Sequence, residues 1–172
     1  ETDQHLYFDD MNTYVSGDWT TTVVGTSTPA LIAGDGGLLG ITTSATSADS
    51  TFMQKTIAGF AMETGKPAWF ACRFKVSTLA TTAVFGLQVI DTTPLDVTDG
   101  IYFLTTTATG AITGICRKNA TTGSTSAVVG TLVADTYTEL AWYWDGRDTV
   151  QFFQDRVAKA SVTGVAASYL PD

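Results

Sequence analysis

The chain has 172 residues, 44% of them hydrophobic and only 15% charged, with a formal net charge of −8. That length and apolar content can bury a sizeable core, and the charged fraction lies well below the roughly 25% of an average globular protein. An acidic chain has no electrostatic footprint for a phosphate backbone or an anionic membrane surface, so the expected partners include no nucleic acid and no membrane. No window approaches about 18 apolar residues, so no transmembrane helix is expected. The opening stretch ETDQHLYFDD is acidic and polar, unlike a secretory signal.

Thr and Ser supply most of the polarity, and these small side chains suit exposed strand faces. From the amino end, a short strand is expected at His5–Phe8, followed by a loop and a strand over Trp19–Val24. Gly25–Gly37 reads as punctuation, because Gly, Pro and Asp supply the φ values that turns need. Leu38–Thr43 and Thr51–Ala58 read as strands, with Phe60–Met62 either continuing the second or forming one helical turn. Pro67 stops any helix there. Ala68–Val76 alternates cleanly: Phe70, Cys72, Phe74 and Val76 share one face, while Trp69, Ala71, Arg73 and Lys75 share the other. Period two of this kind marks a half-buried strand.

Ala83–Ile90 is a fuller apolar run and reads as a central strand, with Gly86 at a bulge or a close approach. Asp91–Gly100 is the longest polar loop. Ile101–Thr107 and Ala111–Arg117 pair as a hairpin across Ala108-Thr109-Gly110, Asn119–Ser126 is a tip, and Val128–Val133 is a further strand. The richest stretch is Glu139–Ala160. Strands at Leu140–Trp144 and Val150–Phe153 flank Asp145-Gly146-Arg147-Asp148, and a second turn at Gln154-Asp155-Arg156 leads into Val157–Val162. Short strands at this spacing, with no capped amphipathic helix, predict an all-β sandwich.

Read in order, FDDM (Phe8–Met11), GGLLGITT (Gly36–Thr43), AWFACRFKV (Ala68–Val76), FGLQVID (Phe85–Asp91), DGIYF (Asp99–Phe103), ELAWYWDG (Glu139–Gly146) and VQFFQDRVA (Val150–Ala158) resemble the concanavalin A-like lectin/glucanase superfamily. They are similar in particular to its laminin-G-like members found in phage structural proteins. The resemblance implies a two-sheet antiparallel β-sandwich of the jelly-roll kind, one domain over 1–172, with 1–18 and 161–172 as arms reaching neighbouring chains. It implies a non-enzymatic virion structural protein: a capsid decoration or cement protein on the capsid surface. Its partners would be the major capsid protein, neighbouring virion subunits or further copies of itself. The alternative is a lectin-like module that attaches to glycans. Where such domains often have Asp-Gly at the second turn, this chain has Gln-Asp-Arg, which demands more of the backbone.

Catalytic constellations are missing from the sequence. Retaining glycosidases need two carboxylates about 5–5.5 Å apart, and glucanases of this superfamily carry them as Glu-x-Asp-x-Glu. Glu1, Glu63 and Glu139 are the only Glu residues, and none has a carboxylate two residues away on a strand. His5 is the only His, and no Gly-x-Ser-x-Gly surrounds any Ser. Asp91, Asp96 and Asp99 share a loop and either offer oxygens to Ca²⁺ or accept backbone hydrogen bonds in a solvated turn; no cofactor or metal is expected. Asn119-Ala120-Thr121 matches a glycosylation sequon, a weak signal. Cys72 and Cys116 fit either two buried thiols or a disulfide. Trp142 and Trp144 lie on one face of their strand and Tyr143 on the other. The Trp pair is therefore either core packing or a glycan platform.

Overall fold

The computed structural model describes residues 5–34, 36–44, 46, 48–119 and 125–165. The chain is all-β and antiparallel, and it folds as two compact units, Glu1–Ile57 and Ala58–Asp172.

Among its described residues the first unit holds a single 3-10 turn at Ser16–Asp18 and four strands: β1 (Trp19–Val24), β2 (Thr28–Ile32), β3 (Leu38–Thr42) and β4 (Ser50–Lys55). They form two separate two-stranded sheets, β1 with β4 and β2 with β3. Trp19 faces Lys55 across the first pair, and the Lys55 ammonium sits 4.1 Å from the Trp19 ring centroid and 4.7 Å from that of Tyr7. This cation–π clamp ties the segment before β1 to the last residue of β4. Strand β2 lies in a stretch whose composition predicts only a turn. Pro29 pairs with Ile41 there. In a two-stranded sheet every strand is an edge, so a proline can direct its missing N–H away from the ladder. His5–Phe8 forms no strand, and Phe60–Met62 neither continues β4 nor forms a helical turn.

The second unit is the sandwich. Its strands are β5 (Ala68–Phe74), β6 (Val84–Gln88), β7 (Gly100–Thr105), β8 (Ala111–Arg117), β9 (Thr125–Thr131), β10 (Thr138–Trp144), β11 (Val150–Gln154) and β12 (Val157–Val162). One sheet has the order β6-β7-β8-β9 and the other β12-β11-β10-β5. Each is a meander of consecutive strands, with β5 added beside β10. The inward residues of both sheets meet in one core that includes Ile101, Phe103, Ile112 and Cys116 from the first and Leu140, Trp142, Trp144 and Phe152 from the second. Phe103 meets Phe152 edge-on at 5.4 Å, and Phe74 meets Phe85 at 4.1 Å, so aromatic contacts close the gap between sheets at two points.

The two outer faces of the sandwich differ. On the β6–β9 sheet, Val97 from the long polar loop packs with Tyr102 and Ile115, and all three are buried. That loop therefore seals part of its sheet's outer side. The β12-β11-β10-β5 sheet keeps aromatic side chains exposed on its outer side.

Two turns fix the register of β10, β11 and β12. The Asp145 carboxylate accepts the amides of Arg147, Asp148 and Thr149 at 2.8, 2.9 and 3.1 Å. Slight desolvation works upward on this carboxyl, but the three amides outweigh it and hold it below the usual carboxylate range. At the second turn Asp155 (φ 51°) and Arg156 (φ 65°) are both left-handed, the conformation a two-residue type I′ hairpin requires and for which glycine is suited. The strain at Gln-Asp-Arg is thus real. It is offset by anchoring, since the Asp155 carboxylate accepts the Glu139 amide at 3.0 Å and the Asp155 amide donates to the Glu139 carbonyl at 2.8 Å. Arg156→Gly is expected to stabilise the protein by about 0.5–1 kcal/mol, because relief of the left-handed strain exceeds the loss of an exposed ion pair to Glu139. Urea denaturation would check this; a loss of stability would show that the ion pair dominates.

The segment 161–172 was expected to reach neighbouring chains. Its described part belongs to the sandwich instead: Val162 ends β12 inside the core and Val165 is fully buried. Their apolar side chains find cover in their own chain, so residues 161–165 are no free arm, and 166–172 lie outside the described residues.

Candidate functional site

Trp142 and Trp144 are 0% exposed. Trp142 stacks on Phe70 with centroids 5.9 Å apart, and both indoles point into the gap between the sheets. A sugar could stack on neither without opening the core, so of the two readings of Trp142 and Trp144 the burial fits core packing and corrects the glycan platform. The facing sheet supplies the physical reason: once β6–β9 covers this side, every inward ring of β10 is desolvated.

The opposite face of the same strands carries a different set. Trp69 on β5 is 57% exposed and Tyr143 on β10 is 39% exposed. The register places Trp69 across from Tyr143, and Ala141 between Ala71 and Phe153. The Trp69 ring lies 6.1 Å from Tyr143 and 5.4 Å from Phe153, tilted 46° and 49° to them. Trp69 and Tyr143 thus share one row of the outer surface, and Phe153 shares the next row with Ala71 and the buried Ala141.

One row further along, the surface becomes polar. Arg73 pairs with Glu139 across the strands, and a shallow depression is lined by Arg73, Tyr137, Glu139, Asp155 and Arg156. The Arg73 guanidinium sits 4.4 Å from the Tyr137 ring centroid, and Arg156 Nε donates to Glu139 Oε2 at 3.2 Å. These contacts hold the charged side chains in place beside the aromatic row. Alternation alone puts Trp69 on the face of Arg73, and Tyr143 opposite the Trp pair. The sequence nevertheless directs the eye to the two tryptophans of the WYW run, whereas the exposed ring is the tyrosine between them.

The remaining candidates resolve differently. In the 91–99 loop, Asp91 accepts the Thr93 amide at 3.0 Å and Asp99 accepts the Asn119 amide at 2.8 Å. Those carboxylates cap backbone, as the solvated-turn reading has it. Among the described residues no three His, Cys, Asp or Glu side chains gather as metal ligands. Cys72 and Cys116 are free thiols in or against the core, and burial pushes both up to about 12. Burial thus favours the protonated thiol of both at neutral pH. Arg147 and Asp148 are exposed at their turn, and Asp148 accepts the Gly164 amide at 2.9 Å. Asn119 is exposed, while the remainder of its sequon lies outside the described residues.

No protein-family model, no curated protein and no solved structure matches the chain. The functional reading therefore rests on its own surfaces.

Proposed function

We propose that the chain is a non-enzymatic structural subunit of a larger particle, a virion protein of the capsid decoration or cement kind that stabilises a shell by covering and bridging its subunits. The observation supporting this reading is the apolar surface of the first unit. Leu6 is 83% exposed, Phe8 78% and Ile57 78%, and Val15, Leu31, Ile32 and Ile41 are exposed as well. Among the unit's described residues only Pro29 and Gln54 are buried.

Two-stranded sheets are marginal in water by themselves, and so many uncovered apolar side chains favour association with another surface. A shell subunit or a further copy of the chain would supply that cover, and the gain would scale with the apolar area removed from water. The residues expected to lie on neighbouring chains at 1–18 include Leu6, Phe8 and Val15. The sandwich would then be tethered to the particle surface through its amino-terminal unit. The low charge and Thr-rich composition suit a structural role, and no paired carboxylates or His-based set points to chemistry.

The test is co-sedimentation of the purified chain with the matching shells stripped of it, alongside light scattering of the free chain. Stoichiometric binding is expected, weakened by at least about tenfold in a Leu6→Ser/Phe8→Ser/Ile57→Ser variant with the sandwich's melting unchanged. A chain that stays monomeric, binds no shell and is absent from virions by mass spectrometry would sink the reading.

A further inference from the structure

We infer that the outer face of the β12-β11-β10-β5 sheet receives the amino-terminal unit of a second copy of this chain. The incoming copy lays Leu6 and Phe8 against the Trp69 and Tyr143 rings and brings Asp9 and Asp10 to Arg73 and Lys75. This docking rests on the structural role proposed above and deepens it, because it names the partner that covers one part of the apolar amino-terminal surface. Leu31, Ile32 and Ile57, exposed as well, remain for the shell. The receiving surface is the first reason. A tryptophan left 57% in water forgoes much of the burial free energy it could gain under cover. On the sandwich's other outer face a loop lays Val97 over Tyr102 and Ile115, whereas among the described residues no such cover lies over Trp69 or Tyr143.

The second reason is charge. Residues 1–57 hold seven acidic side chains and one basic one, a formal −6, whereas 58–172 hold ten and eight, a formal −2. The acidic character of the chain is thus concentrated in its first unit. The polar end of the sheet's outer face is different: Arg73 and Lys75 rest on the Tyr137 ring, 4.4 and 5.3 Å from its centroid. Among the described residues neither sits in a salt bridge, while Arg156 is paired with Glu139. Two cations held against an aromatic ring therefore meet an acidic partner favourably, and the most acidic surface in this chain is the first unit of another copy.

The third reason is spacing. Trp69 and Arg73 are four residues apart on one strand, a span of about 13 Å. Leu6 and Asp10 are also four apart in sequence and reach about as far when extended. Each surface thus runs from apolar to charged over the same length. Tyr7 is held on its own unit, with its ring 4.7 Å from the Lys55 ammonium and its hydroxyl donating to Asp9 at 2.8 Å. Leu6 and Phe8 flank that anchor and stand mostly in water, so the segment is presented rather than folded back. The Asp10 carboxylate accepts the Asn12 amide at 3.1 Å, which fixes the acidic end. Two different surfaces meet in such a contact, so it is heterologous and each joined pair keeps one unused surface of each kind.

The experiment follows self-association of the full chain by analytical ultracentrifugation, up to about 200 μM. Two variants each remove one surface: Leu6→Ser/Phe8→Ser the incoming one, and Trp69→Ala/Arg73→Glu the receiving one. The wild type is expected to associate reversibly and to continue past the dimer, more weakly at about 1 M salt than at low salt. Each variant alone should associate at least about tenfold more weakly. Mixed in equal amounts, the two should form a one-to-one dimer that grows no further, because each supplies the surface the other lacks. That recovery also shows that both variants are folded. The inference is overturned if the wild type stays monomeric over this range, if salt strengthens the association, or if the mixture forms no dimer. It is also overturned if either variant alone associates as the wild type does, since the contact would then join two copies of the same surface. A monomeric wild type that still co-sediments with shells would remove this inference and leave the structural role in place.

Discussion

Trp142→Ala should destabilise the sandwich by about 3–5 kcal/mol, whereas Trp142→Phe should cost no more than about 1.5 kcal/mol. The indole is fully buried and stacks on Phe70 at 5.9 Å. Truncation to alanine removes the transfer free energy of the ring and leaves a cavity between two sheets whose backbones cannot collapse onto it. A loss of that size is about a fifth or more of the stability of an ordinary domain. Phenylalanine keeps the stack. It also removes an indole N–H that has no hydrogen-bond partner among the described residues, so the usual penalty for orphaning a polar group does not apply. Urea denaturation followed by far-UV circular dichroism would separate the two variants, with the m-value unchanged if the native state keeps its compactness. If alanine proved as mild as phenylalanine, the ring would not be a core element, and the assignment of inner and outer faces would have to be reversed. The same comparison separates Trp142 from Trp69, where truncation should leave stability nearly unchanged because the ring is mostly solvated already.

That contrast shows how far the sequence could be read. Period-two alternation places Phe70 and Cys72 on one face of β5 with Trp69 and Arg73 on the other, and it splits Trp142 and Trp144 from Tyr143. All of these assignments hold in the structure. What alternation cannot supply is which face turns inward, because both faces of β5 and β10 carry aromatic side chains. That choice is made by the facing sheet, through contacts such as Phe103 on Phe152 between residues far apart in the chain. Strand β2 was illegible for a local reason. Pro29 and the surrounding glycines read as turn chemistry, and only pairing with β3 shows that a proline is tolerated at an edge. The cover over Tyr102 was hidden too, since Val97 sits in a polar loop whose composition predicts solvent exposure. The strain at the second turn was legible in part: Gln-Asp-Arg in place of a glycine-bearing turn demands more of the backbone, and Asp155 and Arg156 are both left-handed there.

Gly86 and Gly114 provide a test of the sandwich itself, since both lie where a side chain would have no room but for different reasons. A Cβ on Gly114 would fall 2.5 Å from Phe152 Cδ1, against a ring belonging to the facing sheet. A Cβ on Gly86 would fall 2.4 Å from the Ile101 carbonyl oxygen and 2.6 Å from Tyr102 Cα, against the backbone of its neighbour in the same sheet. Gly114→Ala should therefore cost about 1–3 kcal/mol, and Phe152→Leu should recover part of it, because the obstruction is a side chain that can be trimmed. A double-mutant cycle between positions 114 and 152 should give a coupling of at least about 0.5 kcal/mol. Gly86→Ala should cost about 3 kcal/mol, at the upper end of overpacking, and no side-chain substitution on β7 should rescue it, since the obstructing atoms are main chain. Thermal and urea unfolding of these single and double variants would read all of this. Recovery of Gly114→Ala by Phe152→Leu, set against a Gly86→Ala loss that Tyr102→Ala leaves in place, would demonstrate contact between the sheets and close approach within one of them. Rescue of Gly86→Ala by Tyr102→Ala, or absence of coupling between 114 and 152, would contradict the sheet pairing on which both outer faces, and hence the candidate site, depend.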